Sequence, residues 1–172
     1  MKTSTILILQ ACYIQDSQTK DLALHITKTF PNVQCQLKKI DPEVFSSALD
    51  KERAQYLGDR VLEILNNLVS NKNEGALLLV DFDLFAPGLN FIFGQASSRG
   101  KIAVVSVKRL KSGEANSDLF SSRLRKEAVH ELGHTMGFEH CADASCVMYF
   151  SNFLEDTDFK KDIFCSDCSH RV

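Results

Sequence analysis

The stretch His130-Glu131-Leu132-Gly133-His134-Thr135-Met136-Gly137-Phe138-Glu139-His140 decides how the rest of the chain is read. His130 and His134 are four residues apart, so on a helix they share a face and can grip one ion. Glu131 stands beside the first of them, where a carboxylate can take a proton from metal-bound water. Gly137 can end the helix in a left-handed turn, which swings His140 back as a third ligand. Three neutral imidazoles with one open water position form the donor set of a catalytic zinc. The plainer alternative, three scattered core histidines, would have to produce five residue types at fixed spacing by chance.

Upstream, a helix from about Asp118 to Met136 is expected to carry the first two histidines. It follows two apolar strands at 90–96 and 101–107. The connection Ser97-Ser98-Arg99-Gly100 is too short for a parallel crossover, so these strands must be antiparallel. Before them, Ala76-Leu77-Leu78-Leu79-Val80 is continuously apolar, as in a central strand covered on both faces. Asp81 and Asp83 follow and read as turn-forming or capping residues, because no third ligand accompanies them. Residues 51–69 read as an amphipathic helix with Ala54, Leu57, Val61, Leu65 and Leu68 inward, and Asn71 to Gly75 as a polar loop. The first third repeats the alternation: a strand at 3–10, a helix at 17–30 stopped by Pro31-Asn32, and a half-exposed edge strand at 33–40. His25 lies on that helix without a partner at ligand spacing, and Cys35 on the apolar face of the edge strand reads as a packing thiol. The order predicts an α/β fold with a mixed, mostly parallel sheet and one antiparallel edge strand.

Length and charge narrow the function. A chain of 172 residues fits one domain with a real core. A net charge of −2 with interspersed signs argues against a nucleic-acid binder. No apolar run approaches a membrane span. Lys2 and Ile6-Leu7-Ile8-Leu9 only faintly resemble an export signal, and four apolar residues are too few for one. The expectation is a cytoplasmic monomer. With the first strand so near residue 1, no latency pro-segment is expected.

Six cysteines are present. Cys12 and Cys35 stand apart, whereas Cys141, Cys146, Cys165 and Cys168 crowd the last 32 residues. Two disulfides are conceivable, but a C-x4-C with a C-x2-C and no export signal favours a closed four-cysteine zinc site. Together with the histidines, this gives an expectation of two zinc ions per chain, one catalytic and one structural. His170 is a spare candidate on the tail.

At this point the sequence resembles the metzincin zinc peptidases, and the archaemetzincins in particular. The resemblance rests on residues 130–140 with Cys141, Cys146, Met148, Cys165 and Cys168. Supporting stretches are Arg53-Ala54-Gln55-Tyr56, the strand from Asn90 to Ala96, Val105-Ser106-Val107-Lys108-Arg109-Leu110, and Met148-Tyr149-Phe150-Ser151-Asn152. One departure is that 16 residues separate Met148 from Cys165, one fewer than the family pattern. The resemblance implies a single catalytic domain with an upper part, 1–137, and a lower, zinc-stapled part, 138–172. It implies that Met148 forms a Met-turn beneath the zinc ligands, and that strand 91–96 is the sheet edge on which an extended peptide lies. Some metzincins place a tyrosine near the zinc two residues after that methionine. Here that position is Phe150, so Tyr149 is given no metal role. The implied activity is peptide-bond hydrolysis with Glu131 as base and then acid. The competing reading is a zinc-containing peptide-binding or adaptor protein with little proteolysis. The intact Glu131 argues against it, since a binding module needs no general base.

Overall fold

The computed structural model describes residues 4–69, 74–97, 100–113 and 116–172. Residues 71–73 of the expected 71–75 loop, and Ser98-Arg99 of the hairpin connection, lie outside these. Strand β1 (Ser4–Gln10) leads to helix α1 (Asp16–Thr29), then β2 (Val33–Lys39). A 3-10 turn over Pro42–Ala48 leads to two short strands, β3 (Leu49–Asp50) and β4 (Gln55–Leu57), and to α2 (Gly58–Leu68). Next come β5 (Gly75–Val80), β6 (Leu84–Phe85), β7 (Gly94–Ala96) and β8 (Ile102–Ser106). Helices α3 (Val107–Leu110), α4 (Ser117–Thr135), α5 (Leu154–Phe159) and α6 (Ser166–Ser169) complete the chain.

The main sheet has the order β2-β1-β5-β8-β7. All its neighbours are parallel except β7, which runs antiparallel to β8 along the open edge. The apolar runs explain this centre. In β5, Leu77 and Leu79 face one core with α1 and α4, while Ala76, Leu78 and Val80 face another with α2. In β8, Ala103 and Val105 join the first core, and Ile102 and Val104 the second. A strand buried on both faces has no polar side to alternate with. The fold is therefore three layers, with α1 and α4 on one face of the sheet and α2 on the other.

Two expectations need correction. The helix expected at 51–69 begins only at Gly58. Asp50 accepts hydrogen bonds from the amides of Glu52 and Arg53, each at 3.0 Å, and Ala54 turns left-handed at φ 53°. A side chain that satisfies those amides competes with a helix, and the chain makes β3, a turn and β4 instead. Ala54 is exposed, and Leu68 is 43% exposed, so the buried stripe is Val61, Leu62 and Leu65, with Leu57 at its margin. The edge strand expected from residue 90 pairs only over 94–96, with Ile92 bridging Leu84 instead. β4 and β6 pair in parallel in a second small sheet that the sequence did not suggest.

Asp83 proves to be more than a turn residue. Arg109 donates to both its oxygens at 2.7 Å, and Gln55 donates at 2.9 Å. The Arg109 guanidinium also lies 3.9 Å over the Phe91 ring. Arg53 donates to the carbonyls of Leu89 and Asn90. These contacts clamp loop 86–92, which leads into β7. Burial pushes the Asp83 carboxyl up, but hydrogen bonds from Arg109 and Gln55 outweigh it and hold it below the usual carboxylate range. A carboxylate depressed in the folded state adds stability above its unfolded pKa of about 3.9, and that stability is lost as pH falls through the folded value. Asp83→Asn is thus expected to melt below wild type at pH 7, with the gap closing below about pH 4. A gap in Tm that stays constant from pH 7 to pH 3 would contradict the assignment.

Candidate active site

Helix α4 carries a charged or imidazole group at nearly every turn of one face: Arg123, Lys126, Glu127, His130 and His134, with Glu131 beside them. It ends in a Schellman turn. The Phe138 amide bonds the Gly133 carbonyl and the Gly137 amide bonds that of His134, each at 3.1 Å, with Gly137 at φ 87°. This reversal returns His140 to the helix, as the glycine's position in the sequence suggested. The ligand atoms of His130, His134 and His140 all lie within 4.8 Å of one another.

Backbone carbonyls fix the imidazole tautomers. His130 Nδ1 donates to the Val147 carbonyl and His134 Nδ1 to that of Phe138, each at 2.8 Å. In a neutral ring the other nitrogen is then an acceptor. The two Nε2 atoms, both with lone pairs, face each other at 3.1 Å. Two acceptors so close repel unless a cation lies between them. The spacing is near the edge of about 3.3 Å expected for a tetrahedral zinc with 2.0–2.1 Å bonds to nitrogen. Burial, helped by the positive charge of Lys160, holds His130 well below its usual pKa; burial also lowers His140. The His130 and His140 rings are thereby biased to the neutral form that a metal ligand needs. This donor set fits zinc.

Glu131 is buried beside this group. Burial, reinforced by Glu127, raises its pKa well above the usual range, with Lys160 opposing. A cation on the histidines would act in the same direction as Lys160. A cleft of about 560 Å³ opens over these residues. Ala86, Leu89 and Ile92 form part of one wall, and Phe138, Glu139 and Phe150 part of the other. The Phe150 ring is 4.9 Å from that of His140. Met148 is fully buried under the helix, so close that a methyl on Gly133 would lie 2.5 Å from its sulfur.

The four C-terminal cysteines also converge, with sulfurs within 4.8 Å of one another. Cys141 and Cys165 are 3.8 Å apart, far beyond a disulfide bond but equal to the edge of about 3.8 Å expected around zinc with 2.3 Å bonds to sulfur. The Cys165 amide bonds the Cys146 sulfur at 3.4 Å. The Cys168 amide lowers the Cys165 pKa, whereas burial raises Cys146. His170 is exposed and outside this cluster, Cys35 is partly buried beside Thr27, and His25 bonds the Asp162 carbonyl at 2.9 Å.

Sequence reading missed the charges that bind α4 to the segment after it. Arg123 pairs with both oxygens of Asp158, at 2.6 and 2.7 Å. Lys126 donates to the Asp158 carbonyl. Lys160, fully buried, meets Glu127 at 3.0 Å and donates to the Tyr149 carbonyl at 3.3 Å. Thr157 also donates to Glu127. A signal existed: residues 123, 126, 127, 130 and 134 share one helical face, so the charges had to be as buried as the histidines.

A buried glutamate beside three converging histidines, on a helix against a mixed sheet, defines the class as a metallopeptidase-type catalytic domain. Residues 11–172 match the family model for peptidase family M54. An archaemetzincin of Thermococcus kodakarensis is 35% identical, over 97% of this chain and 94% of its own length. The crystal structure of archaemetzincin from Methanopyrus kandleri aligns with a TM-score of 0.86 at 35% identity, covering 98% of this chain and 92% of that one. That from Archaeoglobus fulgidus, complexed with malonate, gives 0.81 at 34% identity, covering 98% and 99%. The chain belongs to peptidase family M54, the archaemetzincins, and is a zinc metallopeptidase.

The Lys160–Glu127 pair yields a stability test. Removing one member of a buried pair strands the other charge, at about 3–5 kcal/mol, whereas replacing both can be nearly neutral. Lys160→Met alone should lower unfolding free energy by about that amount, and adding Glu127→Gln should restore part of it. Chemical denaturation of both variants checks this, and equal losses would contradict it.

Proposed function

We propose that this chain hydrolyses peptide bonds at a zinc held by His130, His134 and His140, with Glu131 moving the proton. The single observation that carries the reading is the two facing Nε2 lone pairs at 3.1 Å, with a buried carboxylate on the adjacent residue. Zinc in such a set supplies a Lewis acid that brings the pKa of water to about 7. Glu131 takes the proton of the attacking water and passes it to the leaving amine. Val147 and Phe138 orient the imidazoles and fix which nitrogen carries the proton, and the residues around them keep the carboxylate out of bulk solvent.

The substrate is a peptide or protein segment in extended form, lying in the cleft between residues 1–137 and 138–172. Ser106 donates to Phe93 and Ser97 to Ile102, so 93, 95 and 97 bond to β8. The peptide groups of Gly94 and Ala96 then face the open edge, available to an added strand. Cys141, Cys146, Cys165 and Cys168 hold a second, structural zinc. Cys141 follows His140 directly, so that ion tethers the third catalytic ligand.

Two measurements test this. A peptide-library digest should give products with wild type that Glu131→Ala fails to produce. Identical profiles would remove the peptidase reading and leave the adaptor alternative. Metal analysis should find two zinc ions per chain, with His134→Ala losing one and Cys165→Ser the other. A single zinc in wild type would refute one of the two ligand sets, and the variants identify which.

A further inference from the structure

We propose that Gly94 is a positioning residue for Glu131: its missing side chain admits the carboxylate beneath the edge strand and sets where it stands. The inference rests on the catalytic reading of Glu131 above. A methyl group built on Gly94 would lie 2.7 Å from Glu131 Cγ, 2.8 Å from its Oε1 and 2.7 Å from the Val104 carbonyl oxygen. Real carbon atoms do not approach so closely, so any side chain at 94 must move Glu131, the strand or both. The requirement is one of space, because Gly94 is not among the glycines with positive φ.

Catalytic carboxylates are commonly aimed by hydrogen bonds, but among the described residues none donates to the Glu131 carboxylate. A glutamate side chain has several staggered conformers, and without a donor its orientation falls to packing. The backbone of Gly94 supplies that packing from one side. The strand cannot simply retreat. On its other face the next residue, Gln95, donates to Asp59 at 2.5 Å, and its Oε1 lies over the bare Cα of Gly58 at the start of α2. Gly94 and Gln95 thus wedge β7 between α4 and α2. The strand offered to the substrate is also the stop for the general base, so the substrate backbone and the base share one reference position.

A displacement of about 1 Å at such a group can cost about 100-fold in rate. Gly94→Ala should therefore lower kcat about 100-fold, a larger factor than its change in KM. It should keep the zinc content and the affinity for acetohydroxamate, a probe of the metal alone. A kcat within threefold of wild type, or loss of zinc, would overturn the proposal. A second measurement does not depend on activity. The fall in Tm caused by Gly94→Ala should shrink by at least half in a Glu131→Ala background, where the obstructing side chain is gone. This holds even if Gly94→Ala alone fails to fold, in which case Glu131→Ala should rescue folding. An undiminished fall, or no rescue, would assign the need for glycine to Val104 and refute the role. If wild type cuts no peptide, the catalytic reading fails, and the thermal cycle still decides the contact.

Discussion

Two hydrogen bonds from imidazole to backbone carbonyl hold the centre of this molecule together. They fix which nitrogen of His130 and His134 carries a proton, and so turn the remaining lone pairs toward one point. Each carbonyl comes from the segment after α4: Val147 precedes the buried Met148, and Phe138 closes the Schellman turn. Ligand geometry is therefore a property of how residues 138–172 dock on the helix. The local energy of one such bond is small, about 1 kcal/mol net. Its effect on the donor set is larger, because a flipped tautomer would offer a proton where a lone pair is needed.

That docking combines apolar packing with charge: Val147, Met148 and Phe164 join the core shared with α1 and α4. Phe164 meets Phe30 and Phe138, and Met148 fits under Gly133. Between these contacts the attachment is polar: Arg123 to Asp158, Lys126 to the Asp158 carbonyl, Glu127 to Lys160 and Thr157. Arg123, Lys126, Glu127 and Lys160 are buried and lose most of their hydration, so each tolerates only a partner in the right place. They discriminate strongly between the correct seat of the segment and a slipped one. The cysteine cluster brings the two ends of the same segment together. The segment thus has polar contacts in its middle and converging cysteines near both ends.

Much of this was legible in the sequence because the deciding signals were local. The apolar run 76–80 marks a doubly covered strand, and Gly137 marks a left-handed helix end without reference to anything distant. The failures were non-local. Residues 51–57 have a helical pattern, but Asp50 satisfies their amides and β6 offers a neighbour from 28 residues downstream, Leu84 beside Tyr56. Asp83 resembles any turn aspartate until Arg109 reaches it. Lys160 looks like a solvated charge, since nothing nearby in sequence shows that it lies on a buried face. Gly94 reads as an ordinary strand glycine, because the group that needs its space is 37 residues away.

The clamp on loop 86–92 has a consequence for how such a cleft can diversify. Arg53 grips the carbonyls of Leu89 and Asn90, groups that every residue type possesses. The Leu89 side chain itself is 42% exposed on the cleft wall. The frame is held through the main chain while that side chain contributes little to stability. Exchanging Leu89 alters the wall without loosening the loop beneath it. Substrate preference at this wall can drift through neutral steps, over a scaffold that does not register the change.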